Sequence, residues 1–96
     1  MRFVYPIELE PYSVEDGGGI GVRFPDWDGA VTDGDDVPEA LANARDCLEE
    51  MLAHRIARRE PFPPASPARG RRTVGPGAQI GAKAALWAAM IERGVS

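Results

Sequence analysis

From Phe3 to Leu9 every second residue is apolar: Phe3, Tyr5, Ile7 and Leu9 alternate with Arg2, Val4, Glu8 and Glu10 around them. That period of two predicts a strand over residues 2–10 with one buried face. Pro6 has no amide hydrogen, so the strand is expected to lie at an edge or to carry a bulge there. The stretch PYSVEDGGG reverses the chain, its glycines being free to take positive φ. Ile20, Val22 and Phe24 then alternate with Gly21 and Arg23, which predicts a second strand. PDWDG is a turn by composition, and Ala30 to Thr32 make a short third strand. The three strands are expected to form an antiparallel meander.

The period changes after Asp36. Val37, Leu41, Ala44, Leu48, Met51 and Leu52 fall on one stripe at helical spacing, with Ala40 and Cys47 beside it. Asp36 is placed to cap this helix, Glu39 follows three residues later as a capping-box partner, and Pro38 is tolerated in the first turn. The stripe is expected to cover the sheet face bearing Tyr5, Ile7, Val22 and Phe24. Residues 60–72, EPFPPASPARGRR, contain four prolines and no periodicity, and read as a linker. Thr73 and Val74 add a brief strand. Pro76 suits the start of a second helix, whose apolar face is Ile80, Ala84, Trp87, Ala88 and Ile91, and Gly94 is its stop signal. The fold class expected is therefore α+β: a small antiparallel three-stranded sheet with one covering helix, in the order β-β-β-α-β, then a linker and a C-terminal helix. The organisation is residues 1–59, a linker over 60–75, and a helical segment over 76–96.

Charge adds something the hydrophobic pattern does not. The net charge of −4 over 96 residues is split: residues 1–54 hold thirteen acids and three bases, and residues 55–96 hold eight bases and two acids. Such asymmetry suggests two different partners, a basic one for the first part and phosphates for the second. One cysteine, Cys47, excludes an internal disulfide, so a cytoplasmic location is the default expectation. No apolar run approaches the roughly 18–20 residues that span a bilayer. The alternating, acid-bearing start is no signal peptide.

The candidate chemistry centres on RFPDWDGAVTDGDD, residues 23–36, with five aspartates. A calcium loop needs glycine sixth from its first ligand. Counted from Asp26 that residue is Val31, and from Asp33 it is Pro38, so both registers fail and no metal is expected. The acids either belong to turns and a helix cap or present a surface to a basic protein. Trp27, between Asp26 and Asp28, either stands out as an interface anchor or folds back over the sheet edge. Glu8 and Glu10 lack the converging carboxylates of a two-metal nuclease. His54 has no triad around it and suits a helix C-terminus. Cys47 reads as a small packed hydrophobe, and the glycines at 17–19 do not bridge a strand and a helix as a phosphate cradle would.

The strand FVYPIELEP, the turn EDGGG and the run VRFPDWDGAVTDGDDVPEALANARDCLEEML together resemble the HicB antitoxins of bacterial toxin–antitoxin pairs, over about residues 2–55. The order is strand, turn, strand, a Pro-Asp-x-x-Gly loop, a Thr-x-Gly-Asp step and a helix. The segment TVGPGAQIGAKAALWAAMIERGVS also looks like the beginning of a helix-turn-helix, which in that family continues into a recognition helix; here the sequence ends at Ser96. The resemblance implies a partial RNase H-like unit without nuclease carboxylates, no cofactor and no catalytic role. It implies binding to a HicA toxin, a small basic mRNA interferase, with its active-site histidine covered. On this reading Phe24, Asp26, Trp27, Asp28 and Asp33 contact the toxin. Ile80, Ala84, Trp87 and Ile91 form an apolar face that either packs back on the first domain or pairs with a second chain in a homodimer or higher oligomer, and the linker favours the pairing because it separates the helix from the sheet. Lys83 and Arg93 touch DNA phosphates weakly, and operator DNA is bound only if a recognition helix is present in the full protein. The other readings are a stand-alone DNA-binding regulator using the basic part and, behind it, a vestigial metal-dependent ribonuclease.

Overall fold

In the computed structural model, which describes residues 3–94, the first extended segment is shared between two short sheets. Arg2 of the expected first strand, and Val95 and Ser96 of the expected terminal turn, lie outside the described residues. Strand β1 (Tyr5–Pro6) pairs antiparallel with β5 (Thr73–Val74), while β2 (Glu8–Pro11) pairs antiparallel with β3 (Ile20–Arg23), which pairs in turn with β4 (Val31–Gly34). The expected single strand over 2–10 is thus two strands that change partner at Ile7. The hydrogen bonds give the reason. Tyr12 N–H reaches Gly19 O, so with the observed register Glu8 and Glu10 direct their backbone groups at β3. Ile7 points the other way, and its N–H donates to Arg72 O at 2.8 Å. Pro6 falls between these phases, on the side where β3 has already ended, and costs the ladder no bond. The four elements β5, β1/β2, β3 and β4 follow in that order across the molecule.

Helix α1 (Val37–Ala57) starts as its sequence predicts. The Asp36 carboxylate accepts from Glu39 N–H at 2.9 Å, and Glu39 reaches back to Asp35 N–H at 3.0 Å, one residue before the cap itself. Its buried row is Ala40, Ala44, Leu48 and Leu52, which lies on Tyr5, Ile7, Val22 and Phe24, all nearly inaccessible. The two alanines bring the first turns close to the sheet. Gly34 lies under them: a Cβ there would collide with the backbone of Ala40 and come within 2.8 Å of the Glu39 carbonyl carbon. The third strand runs to Gly34, beyond the expected Thr32, because this close approach keeps the chain extended and paired with Ile20 up to the cap.

Residues 60–72 do not act as a free spacer. Phe62 meets Phe3 edge-on at 5.5 Å, Tyr5 Oη donates to Pro63 O at 2.8 Å, and Arg71 reaches Glu8 at 3.3 Å. The segment is a strap laid over the first strand. It returns helix α2 (Ala78–Glu92) to the flank of α1, with Ala84 and Trp87 buried there. Trp87 Nε1–H donates to Glu60 O at 2.9 Å. The N-cap of α2 is Gly77, which has no side chain to offer, and Glu49 of α1 accepts from Gly77 N–H at 2.7 Å instead. The expectation that Ile80, Ala84, Trp87 and Ile91 form a bare face for a second chain is corrected accordingly. The centre of that face is covered within the same chain, and Ile91 alone of the four is exposed. Gly94, at φ 72°, ends the helix as expected.

Candidate functional site

The 24–30 loop is a tight reversal. Trp27 N–H donates to Phe24 O, Ala30 N–H to Trp27 O and Phe24 N–H to Ala30 O, each at 3.1 Å, and Gly29 takes φ 74°. This geometry turns Trp27 inward. It is 4% exposed, meets Tyr5 edge-on at 5.3 Å, and has the Arg55 guanidinium 5.3 Å above its ring. Of the two readings of Trp27, the structure shows the one in which it folds back over the sheet edge; the presented anchor is corrected. Phe24, at 1% exposure, is core as well. Asp26 is also not free: its carboxylate accepts from the backbone N–H of Ser66, at 2.8 Å, and from the Ser66 hydroxyl, tying the loop to the strap. Asp28 and Asp33 are exposed, and the Asp33 carbonyl accepts from Asn43 Nδ2 at 2.8 Å.

Two acidic surfaces result. The first is a shallow depression of about 400 Å³ lined by Trp27, Asp28, Cys47, Glu50, Met51, His54 and Arg55. Cys47 is half-buried there, and burial together with the nearby Glu50 carboxylate raises its thiol pKa, which keeps it out of the reactive thiolate form. The second is the open face of the sheet, where register places Glu8, Glu10, Arg23, Val31 and Asp33 on the side away from α1. Arg23 and Arg71 both pair with Glu8 there. Among the described residues, Glu8 and Glu60 are the acids with ion-pair partners, so Glu10, Asp28, Asp33, Asp46 and Glu50 face solvent without a cation. Uncompensated like charge on a small surface is a standing demand for an external basic group. The sequence reading missed Asp46 and Glu50. Their signal was an acidic pair four residues apart on the polar side of α1.

No three side chains of His, Cys, Asp or Glu converge into a metal-ligand set among the described residues. On α2, Lys83 and Arg93 are exposed, as are Arg69 and Arg72 before it. No helix among the described residues is long and apolar enough to cross a membrane.

Known proteins were compared with the chain. A family model described as HicB_like antitoxin of bacterial toxin-antitoxin system matches residues 4–85. A solved structure, a toxin–antitoxin complex from Streptococcus pneumoniae, contains a chain that superposes with a TM-score of 0.64 at 30% identity, covering 75% of the present chain. The match spans 50% of that longer chain. No curated protein matches at a significant level.

Proposed function

This chain belongs to the HicB-like antitoxin family of bacterial toxin–antitoxin systems, and on that premise we propose that it binds a small basic mRNA interferase of the HicA class and covers its active site. The observation that carries the reading is the set of exposed carboxylates Glu10, Asp28, Asp33, Asp46 and Glu50, which have no ion-pair partner among the described residues. A toxin that grips RNA must present cations around its catalytic histidine. An acidic surface competes with the RNA backbone for those cations and has no need of chemistry of its own, so the chain acts by occlusion and is not an enzyme. Of the residues expected to touch the toxin, Asp28 and Asp33 remain as direct contacts. Asp26, Trp27 and Phe24 hold the loop that presents Asp28, and β4 presents Asp33.

Co-expression with the basic protein of the adjoining reading frame should rescue cells from its toxicity, and the purified chain should stop its RNA cleavage. Replacing Asp28 and Glu50 together with lysine should slow association by about tenfold or more at low ionic strength, and by less near physiological salt, because rim charges act mainly on the encounter rate. Unchanged affinity at low salt would remove this surface from the contact. Autoregulation of the operon is the second part of the proposal. Lys83 and Arg93 supply phosphate contacts that position without reading sequence, so promoter DNA should be bound weakly and with steep salt dependence by residues 1–96. Tight sequence-specific binding at physiological salt would contradict that.

A further inference from the structure

The backbone of β4 has a side on which no strand of the described chain pairs. Phe24 N–H bonds Ala30 O, and the β3–β4 register continues from that pair, so Val22 pairs with Thr32 and Ile20 with Gly34 through both bonds. Val31 and Asp33 therefore turn their N–H and C=O groups outward. The phase is confirmed from the other side of β3, where Gly21 and Arg23 face β2. One outward group is already closed off, since Asn43 caps the Asp33 carbonyl. The Val31 N–H, the Val31 C=O and the Asp33 N–H remain, and Val31 is 66% exposed. Proteins normally blunt such an edge with proline, lysine or a bulge. The opposite side of the sheet is blunted in that way, by Pro11 and by the docking of β5 onto β1. The β4 edge carries no proline, lysine or bulge, and is guarded by its shortness, the Asp33 charge and the Asn43 cap.

We infer that the outer edge of β4 receives an extended strand of the basic partner, so that the toxin joins the sheet through main-chain hydrogen bonds. This deepens the function proposed above and rests on it. The occupant follows from charge. A second copy of β4 lying antiparallel on the first would bring Asp28, Asp33, Asp35 and Asp36 of both chains together, and like charges across a strand pair are destabilising. A strand with Lys or Arg opposite Asp33 and an apolar residue two positions along, opposite Val31, instead sets a cation against the acid and covers the valine.

Amide hydrogen exchange on the full chain tests this, with and without the toxin of the adjoining frame carrying a substituted catalytic histidine. The Val31 and Asp33 amides should exchange fast in the free chain and slow at least about tenfold in the complex. Val31→Pro removes one outward donor and no inward bond, and should weaken the complex about tenfold or more, with the melting temperature kept near that of the parent chain; Val31→Thr, which keeps the donor, should bind like the parent. A complex in which both amides still exchange fast overturns the strand addition and leaves the acidic surface standing. Failure of the parent chain to bind the toxin at all overturns both. Slow exchange at these amides in the chain alone, with dimers in sedimentation, would show a second copy as the occupant and overturn the assignment.

Discussion

Trp27 Nε1–H is a buried side-chain donor with no acceptor among the described residues. An orphaned donor costs about 1–3 kcal/mol, whereas the ring packed between Tyr5 and Arg55 contributes favourably. The two effects separate by substitution. Trp27→Phe keeps most of the ring and drops the donor, so its urea midpoint should equal or exceed that of the parent. Trp27→Ala loses the ring and should cost about 3–5 kcal/mol. Tyr5 shows the same logic under titration. Burial, with Asp26 adding to it, raises its phenol from 10.0 to about 12. The unfolded chain releases this proton first, near pH 10, so the stability tied to the neutral phenol is complete below that and is lost as pH rises from 10 toward 12. Tyr5→Phe should flatten the alkaline limb of a denaturation-against-pH curve. The direction in which Trp27 turns was not readable from PDWDG, because composition marks a turn without saying which side chain closes over it.

Periodicity made most of the elements legible: the sheet strands and α1 follow from alternation and a helical stripe, and the Asp36 cap from residue type alone. What alternation could not show was the partner switch at Ile7, which depends on where the distant strand Thr73–Val74 comes to rest. Gly34 belongs to this scale too. Its role is to let a helix approach a strand. Gly34→Ala should destabilise by about 1–3 kcal/mol or more, since the colliding atoms are helix backbone. The nearest atoms to a Cβ at Gly21 belong to the Tyr12 ring, which can swing aside, so Gly21→Ala should cost much less. Thermal melts of the pair separate the two cases. At the far end of α1, Arg59 takes φ 56°, a left-handed conformation that favours glycine, so Arg59→Gly should raise the melting temperature modestly.

Over the whole molecule, the basic part is folded against the acidic part. The strap crosses the first strand, α2 lies along α1, and the pairs Glu49–Gly77, Asp26–Ser66 and Tyr5–Pro63 supply the joining hydrogen bonds. Trp87→Ala should therefore act on stability, lowering the melting temperature by several degrees and loosening α2, and a change confined to oligomeric state would contradict the packing seen here. This arrangement was hidden because four prolines describe a segment without regular structure equally well whether it floats or is strapped down. It also has a history built into it. The β3–β4 hairpin and α1 are made from near neighbours in sequence, whereas Tyr5 finds Pro63 across 58 positions. Contacts that close loops of that length tend to form late, so the seam between the first strand and the strap should be the last part of the molecule to form and the first to open. On a translating ribosome the β3–β4 hairpin and α1, made from near neighbours, should form while the strap is still inside the exit channel.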